Sequence, residues 1–430
     1  MKSEFIKWSL ICWWTWAVSA AMASEQNQQE VRVEKLTMAA AIGRVLEKNP
    51  ELAASGLEIQ AASAGIQQAG LRLNPEIAAE IQNLPEFWAH DLFRTTEFEV
   101  SVSQRLETGG KRALRVQAAG RERDVAGSTF TMLQADLLAS TRLAFLAVLA
   151  NQERLENSRQ LARLAEQSHA VVAARVAAGR ASPVEQTRSA VTLATIRLDA
   201  EKQAFELAAA KDRLAALWGG ASREFDRVDA PFEIPVASPA ARACIESSPD
   251  MALAGAIIDS RSAELELEQA MKKPDLTLSA GYRRSNPELY HAWFAGVSIP
   301  IPWFDKRQGS IAQARHRLEQ ASLEKKAVER RLRSRLVQAR HDLETAILES
   351  ASLLKTALPE AAGALAATEE GYRLGKFEYL NVLDAQRTYA ELERRHIEAV
   401  ASGMKAAVEM DRFGGCESMT PYSKERRDDE

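Results

Sequence analysis

The chain repeats its own punctuation. Asn49-Pro50 is answered by Ser248-Pro249, Asn74-Pro75 by Lys273-Pro274, Lys111-Arg112 by Lys306-Arg307, and Gly179-Arg180 by Gly375-Lys376, in the same order. The offset is 199 at both prolines, 195 at the basic pair and 196 at the glycine. Helix breakers and charge pairs rather than alanines carry the match, so it is not a by-product of two Ala-rich stretches. An internal two-fold repeat follows: whatever the first half builds, the second half builds again.

Each copy reads as helix, strand, strand, long helix, turn, helix. Thr37 is a plausible N-cap for a helix to Lys48; Pro50 interrupts it and a second piece runs to about Leu73. In the second copy this pattern starts near Ser238-Pro239 and runs to Met271. Periodicity then changes from 3.6 to 2. Ile77, Ala79 and Ile81, then Phe98, Val100 and Val102, alternate with polar or small residues, as do Leu276, Leu278, Ala280 and Tyr282, then Trp293, Ala295, Val297, Ile299 and Ile301. Strands are expected at about 75–84, 96–106, 274–283 and 292–301. Their length and single apolar face suit a membrane barrel, or a soluble hairpin with one face on a core. Aromatic residues gather at their ends, at Phe87, Trp88, Phe93, Tyr290, Trp293, Trp303 and Phe304, a placement that suits an interfacial girdle.

Long helices follow at 110–178 and 306–374, each of roughly 100 Å at ~1.5 Å per residue, with shorter ones at 181–218 and 377–413. Such helices must pack side by side. Ile311, Ala314, Leu318, Ala321, Val328, Leu332, Ala339, Leu343, Ala346 and Leu353 step mostly by three and four, a coiled-coil seam in which alanine allows close approach. Pro359 is expected to kink or break the second long helix. The repeats then span 24–218 and 241–415, joined by a Gly- and Pro-rich linker at 219–240 that packs outside the helices, with a charged, disordered tail at 416–430.

Residues 1–23 read as a secretory signal: Lys2 and Lys7 precede an apolar run, Trp8 to Val18, and Ala21-Met22-Ala23 is a small-x-small cleavage pattern. No later segment approaches 18 uninterrupted apolar residues, so no later transmembrane helix is expected and any membrane role would use strands. A net charge of -4 and export both argue against nucleic acid, and the basic run from Arg315 to Arg340 reads as a solvated helix face. Beyond the signal only Cys244 and Cys416 remain, too few for a disulfide scaffold; whether they pair is open. His90, His169, His291, His316, His341 and His396 include no pair that would share a helix face as ligands, so no metal site and no cofactor are expected. Gly109-Gly110-Lys111 lacks the spacing of a phosphate loop, no catalytic constellation is assembled, and the chain reads as no enzyme.

Four strands per chain cannot close a barrel, and an open edge in lipid leaves backbone groups unpaired, so closure requires several chains. A dimer, trimer or tetramer would each supply the eight strands a barrel needs.

The chain resembles the TolC-like outer membrane efflux protein family over nearly all of its mature length. The most specific pieces are Leu36-Thr37 through Asn49-Pro50-Glu51-Leu52, Glu107-Thr108-Gly109-Gly110-Lys111-Arg112, and Tyr372-Arg373-Leu374-Gly375 followed by Leu380-Asn381-Val382-Leu383-Asp384-Ala385-Gln386-Arg387. The Gly-Gly-Lys-Arg segment is similar to the CzcC-like heavy-metal branch. The resemblance implies a mainly α protein with a membrane β-barrel: a homotrimer whose twelve strands form the barrel, continued by an α-helical coiled-coil tunnel into the periplasm. It implies residence in outer-membrane lipid of a Gram-negative bacterium and service as the exit duct of a proton-driven inner-membrane RND pump with a periplasmic membrane-fusion adaptor. Heavy-metal cations are the cargo the branch suggests. Drug efflux or type I secretion is the alternative within the class, and a periplasmic coiled-coil scaffold or adaptor the alternative outside it.

The resemblance also assigns residues at the tunnel tip, where Gly179 and Gly375 make the turns. Tyr372 matches a tyrosine that holds the coils closed against an acid of the other tip turn, here Glu185. Where TolC-like channels carry a basic residue two positions after the tip glycine, this chain has Phe377, so that link is missing. Where they carry two acids at the narrowest point, it has Asn381 and Asp384, leaving one acidic ring, which would favour cations.

Overall fold

The computed structural model describes residues 34–82, 96–235, 245–285 and 290–414. The signal, the aromatic residues Phe87, Trp88 and Phe93, His90, both later cysteines and the tail lie outside the described residues. The elements run β1 (Glu34–Leu36), α1 (Met38–Lys48), α2 (Pro50–Ala69), β2 (Glu76–Gln82), β3 (Glu97–Leu106), α3 (Lys111–Ala177), α4 (Pro183–Ala216), β4 (Phe225–Val228), α5 (Pro249–Met271), β5 (Leu276–Ser285), β6 (Tyr290–Ser298), α6 (Gln308–Ser352), α7 (Leu358–Arg373) and α8 (Tyr379–Gly414). Caps start the helices where the sequence offers them. The Thr37 hydroxyl accepts from the Ala40 amide at 3.3 Å, and Ser182 and Ser248 cap α4 and α5 with proline at the first helical position.

The fold divides into two compact units, taken here one at a time. The first comprises Pro50–Asp136, Ala237–Ala339 and Glu409–Glu430. It holds an antiparallel sheet in the order β2-β3-β5-β6. Register sorts its side chains by polarity. Val102 pairs with Ile77 and Ala280, Val100 with Ala79 and Tyr282, and Tyr282 with Trp293, which puts all of these on one face. On the other face stand Glu80, Glu99, Ser101, Ser279 and Arg283, with Arg283 held to Glu99 at 2.6 Å. The apolar face is not covered: Ile77 is 76% exposed and Trp293 85%.

Below the strands the junctions are polar. The Lys111 ammonium, 5% exposed, donates to Asp275 at 2.6 Å, and the Thr108 amide donates to the same carboxylate. Burial alone would raise the Asp275 carboxyl, but these two donors hold it below the usual range. Arg115 pairs with Glu107 and reaches the Ala69 carbonyl that ends α2. The Gly-Gly-Lys-Arg segment is thus a strand-to-helix joint, with Lys111 tying β3 to the start of β5. Deeper in the unit, Arg412 on α8, 5% exposed, donates to Asp136 on α3 and Asp250 on α5, both at 2.6 Å. Along the basic run, Arg317 pairs with Glu264 and Arg333 with Glu329 on exposed surface.

The second unit comprises Met1–Asn49, Leu137–Val236 and Arg340–Val408. Its core is helical, with Phe145, Val148, Val172 and Leu214 almost fully buried. Within the expected linker at 219–240, β4 pairs in parallel with β1, burying Leu36, Phe225 and Val228. Short strands of three and four residues give too little alternation to be read. The Asn49 amide donates to the Leu217 carbonyl at 2.9 Å, closing the end of α4.

Two features of the long helices bear on what the sequence led one to expect. At Pro359 the regular α-helix is interrupted: Leu353–Ala357 widen into one π turn and α7 then continues. A π turn absorbs the missing proline N–H by shifting the hydrogen-bond ladder by one residue. In α3, one 18-residue stretch reaches a mean hydropathy of 1.4, so by length and composition it is apolar enough to cross a bilayer, against the expectation. Part of the apolar surface of α3 is used in packing, since Leu137, Phe145, Val148, Leu149 and Ala150 are buried.

Removing a buried ion while leaving its partners is costly. Arg412→Met is expected to destabilise the detergent-solubilised protein by about 3 kcal/mol, with Arg412→Lys recovering part of the loss. A thermal unfolding series of the three proteins checks this.

Candidate functional site at the helix turns

The site lies within the second unit, where α3 turns into α4 and α7 into α8. Gly179 and Gly375 adopt φ of 67° and 76°, a region L side chains rarely enter. Each turn closes a Schellman pattern: the Arg180 amide donates to the Arg175 carbonyl, and the Lys376 amide to the Gly371 carbonyl, both at 2.8 Å. Phe377 folds back so that its ring lies against Gly371, where any Cβ would collide with it. The position that lacks the family's basic residue is therefore filled by a packing ring.

Glu185 sits in the first turn of α4, where the helix N-terminus favours an acid. Tyr372, 4% exposed, lies at the end of α7 and donates its hydroxyl to Glu185 Oε2 at 2.9 Å. The turns thus bring these two residues into contact across 187 residues of sequence. Tyr372 packs in a cluster with Val172, Tyr379, Val382 and Leu383. Burial, then the bond to Glu185, push the Tyr372 hydroxyl up to about 12. With the folded value above the ordinary 10, the contact is fully present below pH ~10 and is lost only as pH rises toward 12.

Asn381 and Asp384 lie on α8 one turn apart, both exposed, while Val382 and Leu383 between them face the cluster. The two are not part of the Tyr372 contact within one chain. Sequence reasoning missed three partners. His169 Nδ1 lies 2.7 Å from the Ser189 hydroxyl, linking α3 to α4. Tyr379, 3% exposed, stacks obliquely on Tyr372 with ring centroids 5.6 Å apart. Arg175 places its guanidinium over the Tyr372 ring. Tyr379 has no counterpart in the first copy, so the repeat carries no signal for it. Among the described residues no group of three or more His, Cys, Asp or Glu gathers as a metal site would require.

The family described as "Outer membrane efflux protein" matches residues 41–220 and 241–413. The cobalt-zinc-cadmium resistance protein CzcC of Cupriavidus metallidurans is 32% identical over 383 residues, covering 88% of this chain and 90% of that one. The nickel and cobalt resistance protein CnrC of the same organism is 27% identical, covering 64% and 67%. A solved membrane protein from Pseudomonas aeruginosa has the same fold, with a TM-score of 0.75 at 20% identity over 87% of this chain and 93% of that one. The matched segments take in both strand pairs, both long helices and both glycine turns, and the chain belongs to the outer membrane efflux protein family.

Proposed function

We propose that the chain is the outer-membrane exit duct of a tripartite RND efflux system that exports heavy-metal cations. The observation that carries the duct is the uncovered apolar face of the four-stranded sheet. A periplasmic scaffold or adaptor would fold that face onto a core, yet Ile77, Ile81, Trp293 and Val297 stand open. Lipid is the solvent that suits them, and the unpaired edges β2 and β6 are then closed by neighbouring copies. Three copies give a twelve-stranded barrel, and the two repeats of each chain continue it as a helical tunnel. The polar face, with Glu80, Glu99 and Arg283, then lines the water-filled interior.

The cargo rests on likeness to CzcC along 88% of the chain. Such a duct performs no chemistry. It receives cations from an inner-membrane pump through a periplasmic adaptor, and selection lies upstream. At the tip, Tyr372 and Glu185 act as the closing contact, and three copies of Asp384 form an acidic ring that concentrates cations. Asn381 beside each Asp384 leaves that ring with one carboxylate per chain.

Deleting the gene in its host should sensitise growth to cobalt, zinc or cadmium while leaving drug and detergent tolerance unchanged. Sensitisation to drugs alone would assign the duct to general efflux. A charge-assisted hydrogen bond is worth about 1.5–3 kcal/mol, enough to bias a gate and weak enough for an adaptor to break. Tyr372→Phe combined with Glu185→Gln is therefore expected to raise single-channel conductance in planar bilayers, and unchanged conductance removes the contact from the gate. Asp384→Asn should lower the cation-to-anion permeability ratio measured in the same bilayers under a salt gradient.

A further inference from the structure

The tip contact includes a cation that the gate described above does not use. Arg175 lies in the last turn of α3, and its guanidinium carbon is 4.3 Å from the centroid of the Tyr372 ring. Its Nη2 donates to the Arg180 carbonyl in the first tip turn at 3.4 Å. The same nitrogen is 3.7 Å from where a Cβ on Gly375, in the second tip turn, would stand. One side chain therefore touches both turns.

Its Nε and Nη1 are buried and have no hydrogen-bond partner among the described residues. Buried donors left without acceptors are costly, so something other than a hydrogen bond must hold them. What faces the guanidinium is the π surface of Tyr372, and a cation over an aromatic face is held by the ring's quadrupole. The cation also draws electron density out of the phenol, which makes its hydroxyl a better donor to Glu185. Burial and Glu185 push the Tyr372 hydroxyl pKa up, and the nearby Arg175 charge opposes them. Charge thus alternates along one line: guanidinium, ring, hydroxyl, carboxylate. Phe377 supplies an apolar ring where the family has a cation, so α3 rather than the tip turn provides the charge that reaches this contact.

We propose that Arg175 is a positioning residue of the gate: it holds the Tyr372 ring against α3 and strengthens its hydroxyl's bond to Glu185. This rests on the reading of Tyr372 and Glu185 as the closing contact, so the test has two arms. In the first, the full chain is labelled with 3-fluorotyrosine in detergent, and the Tyr372 fluorine resonance is assigned by its loss in Tyr372→Phe. Arg175→Met should move that resonance and Arg175→Lys should move it less. An unmoved resonance in a folded Arg175→Met protein overturns the proposal. In the second, Arg175→Met should raise single-channel conductance about twofold in the otherwise native chain, consistent with losing a partly buried cation–π contact. It should add nothing in a Tyr372→Leu background, where the ring is already gone. An equal rise in both backgrounds shows that Arg175 acts elsewhere and overturns the proposal. A moved resonance with conductance unchanged in every variant, Tyr372→Phe with Glu185→Gln included, supports the positioning role and overturns the gate.

Discussion

Backbone pairing in lipid is the constraint on which the rest of this structure depends. A hydrocarbon solvent offers no partner to an N–H or C=O group, and each one left open costs several kcal/mol. The sheet β2-β3-β5-β6 has two edges, both without a partner in a single chain. In the proposed barrel, neighbouring copies supply the partners these edges need. The exposed apolar face and the open edges support the proposed barrel together, since one suits lipid and the other suits a neighbouring copy.

That condition explains why the strands are joined to such long helices through polar joints rather than through a shared apolar core. Lys111 meets Asp275, Arg115 meets Glu107, and Arg307 meets Glu268. Each ion pair fixes where a helix leaves a strand without adding apolar surface that would compete with the lipid-facing side. Lower down, the α6 seam of Ala314, Ala321, Ala339 and Ala346 is buried to 5% exposure or less. Small side chains let neighbouring backbones approach, so the helices pack closely along this seam.

The tip works by different means. Two glycines in the left-handed region reverse the chain, and a small aromatic cluster with one hydroxyl-to-carboxylate bond joins the two reversals. The cluster is apolar and buried, while the bond that crosses between the two turns is polar.

Much of this was legible in the sequence because it is local. Period-2 alternation marked the four strands to within two or three residues, Thr37 marked the start of α1, and glycines marked both turns. The match of Tyr372 to Glu185 came from resemblance, since nothing in either residue's neighbourhood points to the other. What only the tertiary structure decided is long-range or too short to show a period. The β1–β4 pair, the π turn that accommodates Pro359, the Arg412 link to Asp136 and Asp250, and the placement of Arg175 over Tyr372 belong here. A sequence carries its periodicities and its breakers, which follow from bond geometry over a few residues. It does not carry which buried cation will face which ring, because that depends on how helices distant in the chain settle against one another.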